Sequence, residues 1–254
     1  HVRSRRQRQM CIRDRHDTMH ARVTHESSYA AARDEAKEIG EMPLELHIMD
    51  GNGEPYEFWE KLELRAYDNG HGYMEGIFNP GAAERDPVSR AHFETLAAAY
   101  GEERAREILG MNRHNTVIYG SGSPHTVFQQ FRVIRPIAVD RTLIEIQTFR
   151  CKGAPDGVFK RAMLYANVIN SPSSNVMPDD IELYNRCQEG NATRGGEWVS
   201  MHRYHGSDRS DADGLVSVNG TSELPMRNQF RAWKTYMEAG AASNAPATGE
   251  GACC

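Results

Sequence analysis

Asp17, His20 and His25 fall within nine residues, spaced Asp-x-x-His-x-x-x-x-His, and an acidic pair, Asp179-Asp180, follows far downstream in the run Met-Pro-Asp-Asp. Two neutral imidazoles and one carboxylate are the donor set that holds a mononuclear iron(II) on one face and leaves the other face open for dioxygen and substrate. From the residues alone, either aspartate of the pair can supply the third ligand. The histidines are also compatible with a plainer role on a surface or at a cap, because a His-x-x-x-x-His spacing is weakly specific in a chain with 11 histidines. The spacing carries a physical demand. On a regular helix residues three apart share a face, so Asp17 reaches His20, but residues five apart point about 140° from one another. Convergence of His20 and His25 on one ion then calls for a distorted helix, for which a π-bulge is the expected device.

The elements that must position these groups are partly readable. Residues 26 to 39 are rich in Ala, Glu and Lys and predict a helix stopped by Gly40. Residues 58 to 67 read as a strand or a short helix end, and residues 67 to 73, broken by Gly70 and Gly72, as a loop. Residues 86 to 109 predict one helix, with Asp86 as N-cap, Pro87 in the first turn and Gly110 as the stop. Residues 115 to 119, 127 to 137 and 142 to 150 are rich in β-branched and aromatic side chains and predict strands, the last two joined as a hairpin by Val139-Asp140-Arg141. Helices are expected again over 155 to 169 and 178 to 188, a short strand over 198 to 204, and a closing amphipathic helix over 224 to 239, where Met226, Phe230, Trp233 and Met237 form a core-facing stripe. Strands grouped between helices in one domain imply an α+β class, an antiparallel sheet with helices on one face.

Composition limits the function classes. A chain of 254 residues suits one large domain or two small ones. It contains no apolar run near the ~18 residues of a membrane helix. The five cysteines, Cys11, Cys151, Cys187, Cys253 and Cys254, form no Cys-x-x-Cys, which argues against a disulfide framework or structural zinc and points to a reducing cytoplasm. Residues 1 to 15 hold six arginines against one acid, so the remainder is strongly acidic within a net charge of -5, and no nucleic-acid partner is expected. Met10-Cys11-Ile12-Arg13-Asp14 looks like a translated adapter from sequencing-library preparation. Residues 1 to 15 are accordingly set aside as an artefact. The native chain is then expected to begin near His16 with its upstream part missing, the folded domain to cover 16 to 239, and 240 to 254 to be a disordered, Ala/Gly-rich tail.

Across residues 16 to 239 several segments in order, DTMHARVTHESS, NRHN, QFRVIRPIAVDRTLIEIQTFRCKGAPD, SPSSNVMPDDIELYNRCQEG, EWVSMHR and TSELPMRNQFRAWKTYM, resemble the catalytic domain of the alpha subunit of Rieske-type aromatic-ring-hydroxylating oxygenases. The resemblance implies a helix-grip fold of the START/Bet v 1 kind, an antiparallel sheet curled around a long C-terminal helix. It puts iron(II) on His20, His25 and, by the family's Asp-Asp-x-Glu pattern, Asp180 rather than Asp179. Asp17 matches a bridging aspartate that hydrogen-bonds a ligand histidine and links it to the Rieske histidine of a neighbouring subunit. Pocket walls are expected from the Gly70-His71-Gly72 loop, the Asn112 to Tyr119 segment and Phe149. For His71 the plainer reading is a loop histidine bonded to backbone. Implied with the fold are an aromatic substrate, dioxygen, electrons from NAD(P)H through a separate reductase or ferredoxin, and a homotrimer with or without a beta subunit.

The sequence departs from the family's pattern in two places. His16 stands where such proteins often have Asn before the bridging aspartate, and no Cys-x-His followed by Cys-x-x-His occurs. The [2Fe-2S] Rieske cluster therefore has no ligands on this chain and is expected on a missing N-terminal domain. Two rival readings stand beside the oxygenase. One is a non-enzymatic helix-grip module that binds an apolar ligand, and it leaves the iron-ligand pattern unexplained. The other is a zinc hydrolase, which lacks a Glu placed as in His-Glu-x-x-His.

Overall fold

The computed structural model describes residues 18–49, 54–78, 81–126, 128–174, 176–193 and 198–243. The helices are α1 (Thr18–Ile39), α2 (Leu44–Met49), α3 (Tyr56–Glu60), α4 (Pro87–Tyr100), α5 (Glu102–Gly110), α6 (Asp156–Asn170), α7 (Met177–Ala192) and α8 (Leu224–Ser243). The strands are β1 (Glu63–Ala66), β2 (Gly72–Phe78), β3 (Met111–Val117), β4 (Gly122–His125), β5 (Gln130–Pro136), β6 (Thr142–Thr148), β7 (Arg209–Ser210) and β8 (Val216–Asn219).

All strand pairs are antiparallel, in a five-stranded sheet of order β3-β2-β1-β8-β7 and a three-stranded sheet of order β4-β5-β6. An Ile118–Gly122 bridge joins β3 to β4 at the corner between the sheets. The long closing helix α8 packs on β1 and on the 3-10 turn Asp68–Gly70. This mixed, antiparallel architecture is the expected α+β class, and it agrees with the helix-grip description. Among the described residues no helix is long and apolar enough to cross a membrane.

Among the described residues there are three hydrophobic clusters, two of them larger than the third. Alternation in β1 turns Leu64 and Ala66 inward against Trp59, Met74, Val218 and Leu224, while Glu63 and Arg65 face outward. The buried Glu75 carboxylate on β2 is tolerated because Arg65 and Arg113 each hold one of its oxygens, at 2.6 and 2.8 Å. The second core is helical. Tyr29 and Ala32 of α1 pack with Leu46, Phe128, Ala166, Ile169 and Val176, which locks α1 against α2, α6 and the start of α7.

Local structure departs from expectation at identifiable points. Helix α1 begins at Thr18, so it carries both His20 and His25, and it is α-helical throughout with no π turn. The stretch 56 to 66 holds both alternatives in turn, the short helix α3 and then β1. The glycine-punctuated loop gives way at Gly72 to β2, and register shifts against β3 accommodate its irregular pattern. The single helix expected over 86 to 109 is two, broken at Gly101, whose φ of 86° ends α4 and starts α5. No strand forms over 198 to 204. The Arg227 guanidinium takes the carbonyls of Met201 and Arg203, and Trp198 is 91% exposed, so this segment's backbone is satisfied by a side chain instead of a ladder. The apolar stripe of α8 is core only at its start: Met226 is fully buried, Phe230 and Trp233 half-buried, and Met237 exposed. The helix itself runs past Gly240 to Ser243, into the expected tail; residues 1 to 17 and 244 to 254 lie outside the described residues.

Candidate metal centre

The histidines reach the site from one helix and the carboxylate from another. The SPSS run after α6 fixes where α7 begins: Ser174 Oγ donates to the Ile169 carbonyl at 3.1 Å and accepts the N–H groups of Val176 and Met177, each at 3.2 Å. Pro178 then sits in the first turn, where its missing N–H has no cost. Asp179 and Asp180 follow, where the positive end of the helix dipole favours carboxylates. The α1–α7 contact turns that first turn toward His20 and His25.

Asp180 Oδ1 lies 2.9 Å from His20 Nε2 and 3.4 Å from His25 Nε2. One donor atom from each of the three residues falls within 4.8 Å of the others. Metal bonds of ~2.1 Å meeting at right angles separate their donor atoms by ~3 Å, so the two histidine–carboxylate distances suit a single first-row ion. The imidazole rings stand edge to face, 86° apart with centroids at 5.0 Å. Each side chain swings toward α7, so the rings meet although their Cα positions diverge around the helix, and no helix distortion is needed.

The site is buried at His25 and Asp180 and partly exposed at His20. His25 is 3% and Asp180 5% exposed. Tyr29, one turn beyond His25 and fully buried, sets its ring perpendicular to the imidazole. Burial lowers the His25 pKa, but hydrogen bonding and charge from Asp180, then from Asp179, outweigh it and leave the pKa above the usual histidine value. Thr24 Oγ1 is 3.2 Å from His20 Nδ1, and His25 Nδ1 is 3.3 Å from Asp179 Oδ2, which also accepts from Ser28 Oγ at 2.8 Å. Sequence reasoning missed Thr24, Ser28 and Tyr29. Their signal was available, since Thr24 is four residues from His20, and Ser28 and Tyr29 are three and four from His25, the spacings that share a helix face.

The remaining candidates are placed differently. The His71 ring serves the backbone, its Nδ1 accepting from the Tyr119 N–H at 2.9 Å. Phe149 follows β6 and is 43% exposed. Asn112 belongs to β3; its side chain, like the whole of Asp17, lies outside what the structure describes.

No protein-family model matches the chain. In sequence it is 33% identical over 142 residues to the alpha subunit of toluate 1,2-dioxygenase from Pseudomonas putida, a match covering 54% of this chain and 29% of that one. It is 31% identical over 150 residues to the large subunit of 2-halobenzoate 1,2-dioxygenase from Burkholderia cepacia, covering 57% and 31%. Its fold matches naphthalene 1,2-dioxygenase with indole in the active site, at a TM-score of 0.66 and 19% identity over 91% of this chain and 51% of that one. The Rhodococcus sp. naphthalene 1,2-dioxygenase bound to indole gives a TM-score of 0.53 at 17% identity, covering 82% and 50%. The matches thus span about three tenths of the two sequence relatives and about half of the solved chains. They bear out the resemblance: in sequence this chain is similar to part of the alpha or large subunits of toluate and 2-halobenzoate 1,2-dioxygenases, and in fold to naphthalene 1,2-dioxygenase.

Proposed function

We propose that this chain is the iron-binding catalytic portion of an aromatic-ring-hydroxylating oxygenase, with His20, His25 and Asp180 as the ligands. What supports the reading is the meeting of two imidazoles and one carboxylate, from helices far apart in sequence, in a buried site of a chain whose relatives are dioxygenases. Iron(II) bound there supplies dioxygen activation, with electrons from NAD(P)H delivered through a reductase or ferredoxin and a [2Fe-2S] Rieske cluster on an upstream domain. His20 and His25 bind as neutral imidazoles through Nε2 and Asp180 as an anion. One negative charge against a dication leaves the centre electrophilic. Tyr29 and the helical core beneath it keep water from the protein side, so the open face is the one presented to substrate. Asp17 bridges to the electron donor of a neighbouring subunit in a trimer, with or without a beta subunit.

The substrate is an aromatic compound. The two sequence relatives are named for toluate and 2-halobenzoate, so aromatic carboxylates are the first to try. The test joins this chain to the upstream half of the toluate dioxygenase alpha subunit, loads it with iron and supplies reductase and NADH. Dioxygen-dependent hydroxylation of an aromatic acid or hydrocarbon is expected. Aromatic ligands binding equally well with and without metal, and no product from an iron-loaded chimera, would reject the oxygenase in favour of a non-enzymatic binding module.

A further inference from the structure

We infer that Asp179 is a positioning residue that holds His25 from the side of the ring opposite the metal, with Ser28 holding Asp179 in turn. The inference rests on the reading of His20, His25 and Asp180 as a metal centre and assigns the other half of the acidic pair. His25 turns Nε2 toward Asp180 at 3.4 Å and Nδ1 toward Asp179 at 3.3 Å. A neutral imidazole that ligates through Nε2 carries its proton on Nδ1. At 3% exposure that proton needs an acceptor within the protein. Asp179 Oδ2 accepts it, and the same oxygen takes a 2.8 Å hydrogen bond from Ser28 Oγ. Consecutive residues on a helix point about 100° apart. Asp179 and Asp180 thereby bracket one imidazole, one at each ring nitrogen, and fix both its tautomer and its tilt. Ser28 lies on the same face of α1 as His25, so α1 supplies both the ligand and the hydroxyl that steadies its support.

The test is Co(II) binding to the whole chain, read by the visible absorption of the bound ion and by the shifted proton resonance of the His25 Nδ1–H. Asp179→Ala should weaken Co(II) binding about 10- to 100-fold, alter the visible bands and remove the slowly exchanging Nδ1–H signal. Asp179→Asn, whose amide oxygen still accepts, should recover part of the affinity and the signal. Ser28→Ala should weaken binding less, in the same direction, and with Asp179→Asn it decides the matter if the alanine variant of Asp179 does not fold. Wild-type affinity, bands and Nδ1–H signal in Asp179→Ala would overturn the inference. So would complete loss of binding matching Asp180→Ala, which would make Asp179 a ligand. Undiminished binding in His25→Ala and Asp180→Ala, or none in the wild type, would instead remove the metal centre and the inference with it.

Discussion

At the scale of single residues, burial decides what each histidine does. His25 is buried among carboxylates, whereas His114 on β3 pairs across strands with the fully buried Met74, and burial alone pushes its pKa down to about 4. A histidine held neutral in the fold but titrating near 6.5 when unfolded leaves stability intact above pH ~6.5 and draws it away as pH falls toward ~4. His114→Gln should therefore flatten the acid limb: between pH 7 and 4.5 the wild type should lose up to about 3 kcal/mol more than the variant in urea unfolding. Parallel curves would show that His114 titrates alike in the folded and unfolded chain. Of the candidate site, the histidines and the acidic pair were legible through the resemblance, because the spacing by itself is weakly specific and leaves either aspartate open. Thr24 and Ser28 carried only their helical spacing from the histidines, and Ser28 finds its partner Asp179 only once α7 docks. The His71 ring nitrogen takes the Tyr119 N–H, a backbone partner that comes from 48 residues away and that local sequence does not announce.

Elements were legible where a local signal decides them. Asp86 caps α4, accepting from Ser89 N at 2.8 Å and Ser89 Oγ at 2.8 Å, and Arg161 of α6 reaches both its oxygens. Burial raises the Asp86 pKa, but those hydrogen bonds and the Arg161 charge outweigh it and hold the carboxyl at about 2. Asp86→Ala should cost about 1–2 kcal/mol at pH 7. The advantage of the wild type should shrink as pH drops from ~4 to ~2, by an amount reduced by solvent screening. An unchanged melting temperature at pH 7 would contradict this role. Gly70 shows the other kind of constraint: at φ +85° a Cβ would stand 2.6 Å from the Tyr119 ring and 2.9 Å from Ala232 Cβ on α8. Gly70→Ala should destabilise by about 1–3 kcal/mol, seen as a lower urea midpoint. The elements that sequence misassigned depend on distant partners. Residues 198 to 204 look like a strand until Arg227 claims their carbonyls, and β2 hides among glycines until β1 and β3 flank it.

On the scale of the whole molecule, the candidate site is a product of long-range packing. The fold brings α1 and α7 together across about 150 residues of sequence, as the 154-residue separation of His25 and Asp179 illustrates. It offers no Cys-x-His and Cys-x-x-His pair for a cluster. The chain alone, loaded with iron and given reductase and NADH, should therefore give no turnover, whereas the chimera with an upstream Rieske half should. Activity of the isolated chain under those conditions would show that electrons reach the site by another route. The proposed iron site of His20, His25 and Asp180 is tested by iron content paired with electron paramagnetic resonance of the nitric oxide adduct formed after anaerobic Fe(II) loading. About one iron per chain with the signal of a non-haem iron nitrosyl is expected for the wild type, with both abolished in His20→Ala, His25→Ala and Asp180→Ala. An iron content and nitrosyl signal that survive all three substitutions would contradict it.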